Sequence, residues 1–194
     1  MTTSIQNSQP AIAQSSSWRV YQAAVSQSRT WFFVLTALGA MSNILYTCTV
    51  PLVGFSVIAG TTLSRCKAIS TIFSLWVVNQ AIGFTLRQYP WTFSTFAWGG
   101  VMLLGAIIVT ILASMQTQTR CKGALYFLSQ IGVTLVSGYL IYELIIWLAG
   151  FMLGGVSGFT LSILWQIFMS NAIWAIGLTI IYCLLVWRLM RFAR

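Results

Sequence analysis

The chain has one acidic side chain, Glu143, and neither Asp nor His. Glu143 sits in Tyr139-Leu140-Ile141-Tyr142-Glu143-Leu144-Ile145-Ile146-Trp147, a run whose only other polar side-chain groups are two tyrosine hydroxyls and one indole N–H. An ionisable group in so apolar a segment is expensive, and it marks a functional candidate whose partner should be named. Arg87 is the natural partner, since it stands apart from the other basic residues. Gln80, Gly83 and Arg87 fall at i, i+3 and i+7 and share one helix face, with Asn79 beside them. The candidate intramembrane polar site is therefore Arg87, Glu143, Gln80 and Asn79. An Arg87–Glu143 pair there would gate or line a path for a solute or ion, or would only fix packing. Breaking a buried pair of that kind costs about 3–5 kcal/mol. A carboxyl that snorkels to the interface is the third reading.

Other chemistry is excluded by what is missing. There is no Ser-His-Asp or Cys-His arrangement, no carboxylate pair, and no His to hold zinc or haem. The four cysteines, at 48, 66, 121 and 183, have no C-x-x-C spacing. No metal, cofactor or catalytic residue is expected, and the chain does not read as an enzyme.

These residues must be positioned by helices in lipid. The 194 residues are 58% hydrophobic and only 6% charged, whereas about a quarter of a soluble domain is charged. The net charge of +9 does not point to nucleic acid, because the basic residues form small groups between apolar runs and not one patch. That is the spacing of loop charges that orient a membrane protein.

Residues 1–17 are Ser/Gln/Thr-rich, lack charge and read as a disordered tail. Trp18, Tyr21 and Val25 then suggest a short interfacial helix, with an unstructured leader as the alternative. The first apolar stretch, Trp31 to Leu63, breaks around Thr47, Thr49 and Pro51. Its second piece is a short span, a re-entrant segment or the end of a kinked helix. Ala68 to Thr85 is a span that ends in an interfacial turn, Arg87-Gln88-Tyr89-Pro90-Trp91. Phe93 to Met115 is another. From Ala124 to Trp187 two long helices flank the glycine-rich stretch Gly150–Gly158, and Ser170-Asn171 offers a further break. Trp31, Trp91, Trp147 and Trp187 fall near predicted span ends, as an aromatic belt requires. Trp76, Trp98, Trp165 and Trp174 lie deeper, in packing or against a flat ligand.

About six spans with both termini cytoplasmic put every basic residue but Arg87 inside; five spans would also strand Arg19 and Arg29 outside. The expected fold is thus all-α, a polytopic transmembrane bundle. Residues 1–29 form the tail, 30–190 the membrane domain and 191–194 a basic end. Arg65-Cys66-Lys67 recurs as Arg120-Cys121-Lys122. At the same offset Phe96-x-x-Gly99-Gly100-Val101 recurs as Phe151-x-x-Gly154-Gly155-Val156. Such a repeat suggests duplicated helix hairpins, a device common in transporters.

In length, span count and the placing of its ends, the chain is similar to the substrate-binding membrane subunits of energy-coupling-factor vitamin transporters. The likeness covers outline and no diagnostic residues. The sequence leads to two expectations: a small-solute transport or substrate-binding subunit of a bacterial cytoplasmic membrane, or a structural or assembly subunit without transport of its own. Its partners would be the lipid bilayer, other membrane subunits or an ATPase module.

Overall fold

The computed structural model describes residues 20–45, 50–117, 124–155 and 159–192. All of the regular structure among them is helical: α1 (20–26), α2 (Arg29–Leu45), α3 (Leu52–Thr62), α4 (Arg65–Thr85), α5 (Phe93–Thr117), α6 (Ala124–Leu153) and α7 (Leu161–Phe192). The last four are long and apolar enough to cross a membrane. Helix is the form that satisfies every backbone group internally, as lipid demands.

The bundle is organised around its shortest long-range element. α3 has 11 residues and every one is buried, giving a rod about 16 Å long. A helix that is apolar all round belongs inside a bundle, and α3 is packed on by α4, α5, α6 and α7. Glycines let the neighbours approach. A Cβ on Gly60 would stand 2.5 Å from the Thr110 carbonyl oxygen of α5, and one on Gly54 would stand 2.7 Å from that of Asn171 in α7. The buried hydroxyls of Thr61, Thr62, Thr110 and Thr179 donate to carbonyls one turn back on their own helices, so burial leaves no unmet donor there.

Contacts between helix ends show successive helices reversing direction. Trp31, at the start of α2, donates its indole N–H to Thr62 Oγ1 at the end of α3, at 2.8 Å. Arg65, opening α4, donates to Ser114 near the end of α5, at 3.3 Å. Phe127 and Trp31 both pack on Tyr182, late in α7. Arg29, Arg65, Lys67, Arg188 and Arg191 therefore share one end of the bundle, and Arg87 lies at the other.

Several sequence expectations are met and others are revised. Residues 20–26 are helical, with Val25 buried. They are tied down by Ser64 N–H donating to the Ser26 carbonyl and by the Lys67 ammonium donating to that of Gln27. The first apolar stretch does break, between Leu45 and Leu52. α7, by contrast, passes Ser170-Asn171 without interruption, because the Asn171 side chain bonds to another helix and to its own preceding turn, and does not compete for a backbone break. Trp31 is a core residue, 1% exposed, and so it is not part of a lipid-facing belt; Trp91, Trp147 and Trp187 are exposed as a belt residue should be.

The two copies of the repeated motif fall in unlike settings. Gly99-Gly100 lies inside α5, whereas Gly154 and Gly155 follow the end of α6 with φ of 82° and 106°. The offset thus does not lay hairpin on hairpin. α4 and α5 pack closely, while α6 and α7 touch at few places and each leans on α3. The second tripeptide, at 120–122, lies outside the described residues.

Candidate functional site

At the end opposite the basic cluster, the loop joining α4 to α5 shapes a chamber. Leu86 caps α4, and Gln88 takes a left-handed conformation (φ 53°) that turns the chain. Tyr89 then donates its N–H to the Gly83 carbonyl at 3.0 Å, and its ring lies over Gly83, where a Cβ would be 2.6 Å from it. Pro90 directs the chain away, and the Thr92 hydroxyl accepts from Thr95 N–H at 3.3 Å, opening α5 as an N-cap does.

The chamber has a volume of about 480 Å³. Asn79 and Gln80 line it from α4, Arg87 and Tyr89 from the loop, Thr92, Ser94 and Thr95 from the start of α5, and Trp98 and Met102 from the next turns. Val50, just before α3, also lines it. Three of the four residues expected at the site therefore do converge. Asn79 is buried and Gln80 and Arg87 are half-buried. Gln80 is wedged against Gly99, where a Cβ would come 2.9 Å from its Oε1. The neighbouring Trp76 donates its indole N–H to the Gly99 carbonyl at 2.7 Å, which holds α4 against α5. Arg87 Nη2 donates to the Asn43 carbonyl at 2.6 Å and thereby ties the loop to α2.

Glu143 is not brought to Arg87. Arg87 lies beyond the end of α4, whereas α6 runs ten residues past Glu143 to Leu153, about 15 Å of helix. The two side chains sit at different depths: the ring of Tyr142, next to Glu143, lies against Gly105, well inside α5, whereas Arg87 lies with Thr92, Ser94 and Thr95 at the start of that helix. Glu143 is instead half-buried on the α7 side of α6. Tyr139, one turn earlier on the same face, donates its hydroxyl to the Leu164 carbonyl of α7 at 2.5 Å.

Three comparisons, with protein-family models, curated proteins and solved structures, return no match. The site has to speak for itself. Among the described residues, no group of His, Cys, Asp or Glu is arranged to hold a metal ion.

The electrostatics of the chamber are one-sided. Among the described residues, Arg87 is the only charged one in its lining, and the chain's single acid, Glu143, lies elsewhere. Hydroxyls and amides supply neutral hydrogen bonds, and the start of a 25-residue helix, α5, adds partial positive charge. The sequence reading missed Thr92, Ser94 and Thr95. Their signal was a hydroxyl-rich turn directly after Pro90-Trp91, which periodicity alone treats as punctuation. Trp98, one of the deeper tryptophans, stands in the wall of the chamber.

Proposed function

We propose that this chain is a multi-pass membrane protein that binds a small anionic solute in the Arg87 chamber, as a transport or substrate-binding subunit and not as an enzyme. The observation that carries the reading is a hollow of about 480 Å³ whose lining, among the described residues, has one guanidinium, several neutral hydrogen-bonding groups and no carboxylate. Guanidinium recognises carboxylate and phosphate in bidentate fashion, and concave sites with a few placed polar groups are where small ligands bind. α3 adds support. Its first turn lies level with Asn171, ten residues inside α7, so a short helix begins within the bundle beneath the chamber. Discontinuous helices in that position are a feature of solute sites in transporters. The basic end faces the cytoplasm by the positive-inside rule, α2 and α3 complete six crossings, and the chamber opens to the opposite side.

The test is a titration of the purified protein with small carboxylates and phosphates, read by tryptophan fluorescence with Trp98→Phe as the control. At least one anion should perturb Trp98. Arg87→Gln should weaken its binding about 10- to 100-fold, the loss of one charge-assisted hydrogen bond. No response to any anion, together with no effect of Arg87→Gln, would reject the reading.

A second reading, an assembly subunit, draws on the outer face of α7. Ile173, Ile176 and Ile180 are exposed there beside Gly177, which has open space around it. Small residues of this kind let another helix pack closely. Gentle purification with native companions separates the two: a co-purifying ATPase supports uptake, whereas a large complex lacking one supports assembly.

A further inference from the structure

On the outer side of the same α4–α5 seam lies a second hollow, of about 540 Å³. Trp76, Val77, Phe84, Trp91, Phe96 and Gly100 form most of its wall. Phe84 packs on Phe96 and on Trp91, both at 4.8 Å between ring centroids. Val77, Trp91 and Phe96 are all exposed, so the groove faces the surroundings of the bundle, which in a bilayer are acyl chains.

Gln80 lines both hollows. The two adjacent glycines of α5 divide between them. Gly99 faces the chamber and receives the Gln80 amide, while Gly100 lines the groove with nothing within 4 Å of where its Cβ would be. A cationic, hydroxyl-rich chamber and an oily groove thus share one flexible amide side chain as their common wall. A free small anion would use only the first of these. A molecule with a charged head and a hydrocarbon chain would use both.

We infer that the occupant of the chamber is an anionic amphiphile taken from the bilayer, with its head at Arg87 and the α5 hydroxyls and its chain passing Gln80 into the aromatic groove. The inference rests on the anion-binding reading above and adds the class of molecule. Charge complementarity selects the head, and the position of the groove directly across the Gln80 side chain from the chamber selects the chain.

The test uses dodecyl phosphate and methyl phosphate as probes, with the full-length protein in an uncharged maltoside detergent. Bound probe is counted by native mass spectrometry. All variants are compared at one mixed-micelle composition, so that partitioning of the probe is common to them. Ser94→Asp puts a carboxylate in the chamber at the second residue of α5, where the helix dipole favours it, so this variant keeps its fold. It should reduce occupancy by both probes about tenfold, as should Arg87→Gln. Gly100→Phe, at a position where an added Cβ meets nothing within 4 Å, puts a ring into the groove and should reduce dodecyl phosphate alone. If Gly100→Phe leaves dodecyl phosphate at parental occupancy while Ser94→Asp still lowers both probes, the site takes free small anions and the amphiphile is overturned. If Ser94→Asp and Arg87→Gln change neither probe, the chamber itself is not an anion site and both readings fall.

Discussion

Asn171 does more for this bundle than a polar residue in the middle of a membrane helix usually does. Its Oδ1 accepts from the Gly54 N–H at 2.8 Å, and its Nδ2 donates to the Ile167 carbonyl at 2.9 Å. Gly54 is in the first turn of α3, where the backbone N–H groups have no partner within the helix. Pro51, at the start of α3, supplies no side-chain cap, so α7 provides a cap from outside. Replacing Asn171 by Ala should strand a buried donor and lower stability by about 1–3 kcal/mol. This would be read as a fall in the thermal unfolding midpoint in detergent. Gln166→Ala, at an exposed site on the same helix, should shift that midpoint little. Equal effects of the two would mean that Asn171 is not a cap.

At the scale of the helices, α3 is the element on which the others depend. It has no polar face, and its neighbours reach its backbone through glycine. Gly60→Val would bring a side chain within 2.5 Å of the Thr110 carbonyl oxygen and 2.7 Å of Ala113 Cβ. Those atoms belong to a long helix packed on both sides and cannot retreat cheaply. Overpacking of this kind typically costs about 1–3 kcal/mol, and the variant should lose folded yield and unfold at a lower temperature. Gly177→Ala, in open space on α7, should instead be neutral or stabilise by up to about 1 kcal/mol, since Ala is the better helix former. A Gly60→Val protein as stable as the parent would show that α3 does not lie against α5.

For the whole molecule, the asymmetry of charge predicts an orientation. Cys66 is exposed beside Arg65 and Lys67 at the basic end of the bundle. In a variant keeping only that cysteine, a membrane-impermeant maleimide added outside intact cells should leave it unlabelled. Labelling should appear once the membrane is permeabilised. A cysteine put in place of exposed Thr85, near the chamber, should behave in the opposite way. Labelling of both from the same side would reject the alternation of the helices across the bilayer. The exposed apolar faces of α6 and α7, such as Leu140, Leu144, Ile173 and Ile176, then lie against lipid.

Composition and period were enough to read the solvent, the helical class, the break near Pro51, the turn at Arg87–Trp91 and the shared face of Gln80, Gly83 and Arg87. Those properties are local: they follow from how many consecutive side chains tolerate lipid and from the pitch of a helix. They also brought Asn79, Gln80 and Arg87 forward as a group, because residues within three turns of one helix are neighbours in any fold. The separation of Glu143 from Arg87, the Asn171 cap on α3 and the meeting of chamber and groove at Gln80 depend on which helices touch and at what depth. Helix length sets that depth, and α6 outruns Glu143 by ten residues. Contacts between residues more than a hundred positions apart, such as Gly54 with Asn171, arise from packing around α3. An apolar run looks the same on paper whether it ends up facing acyl chains or another helix.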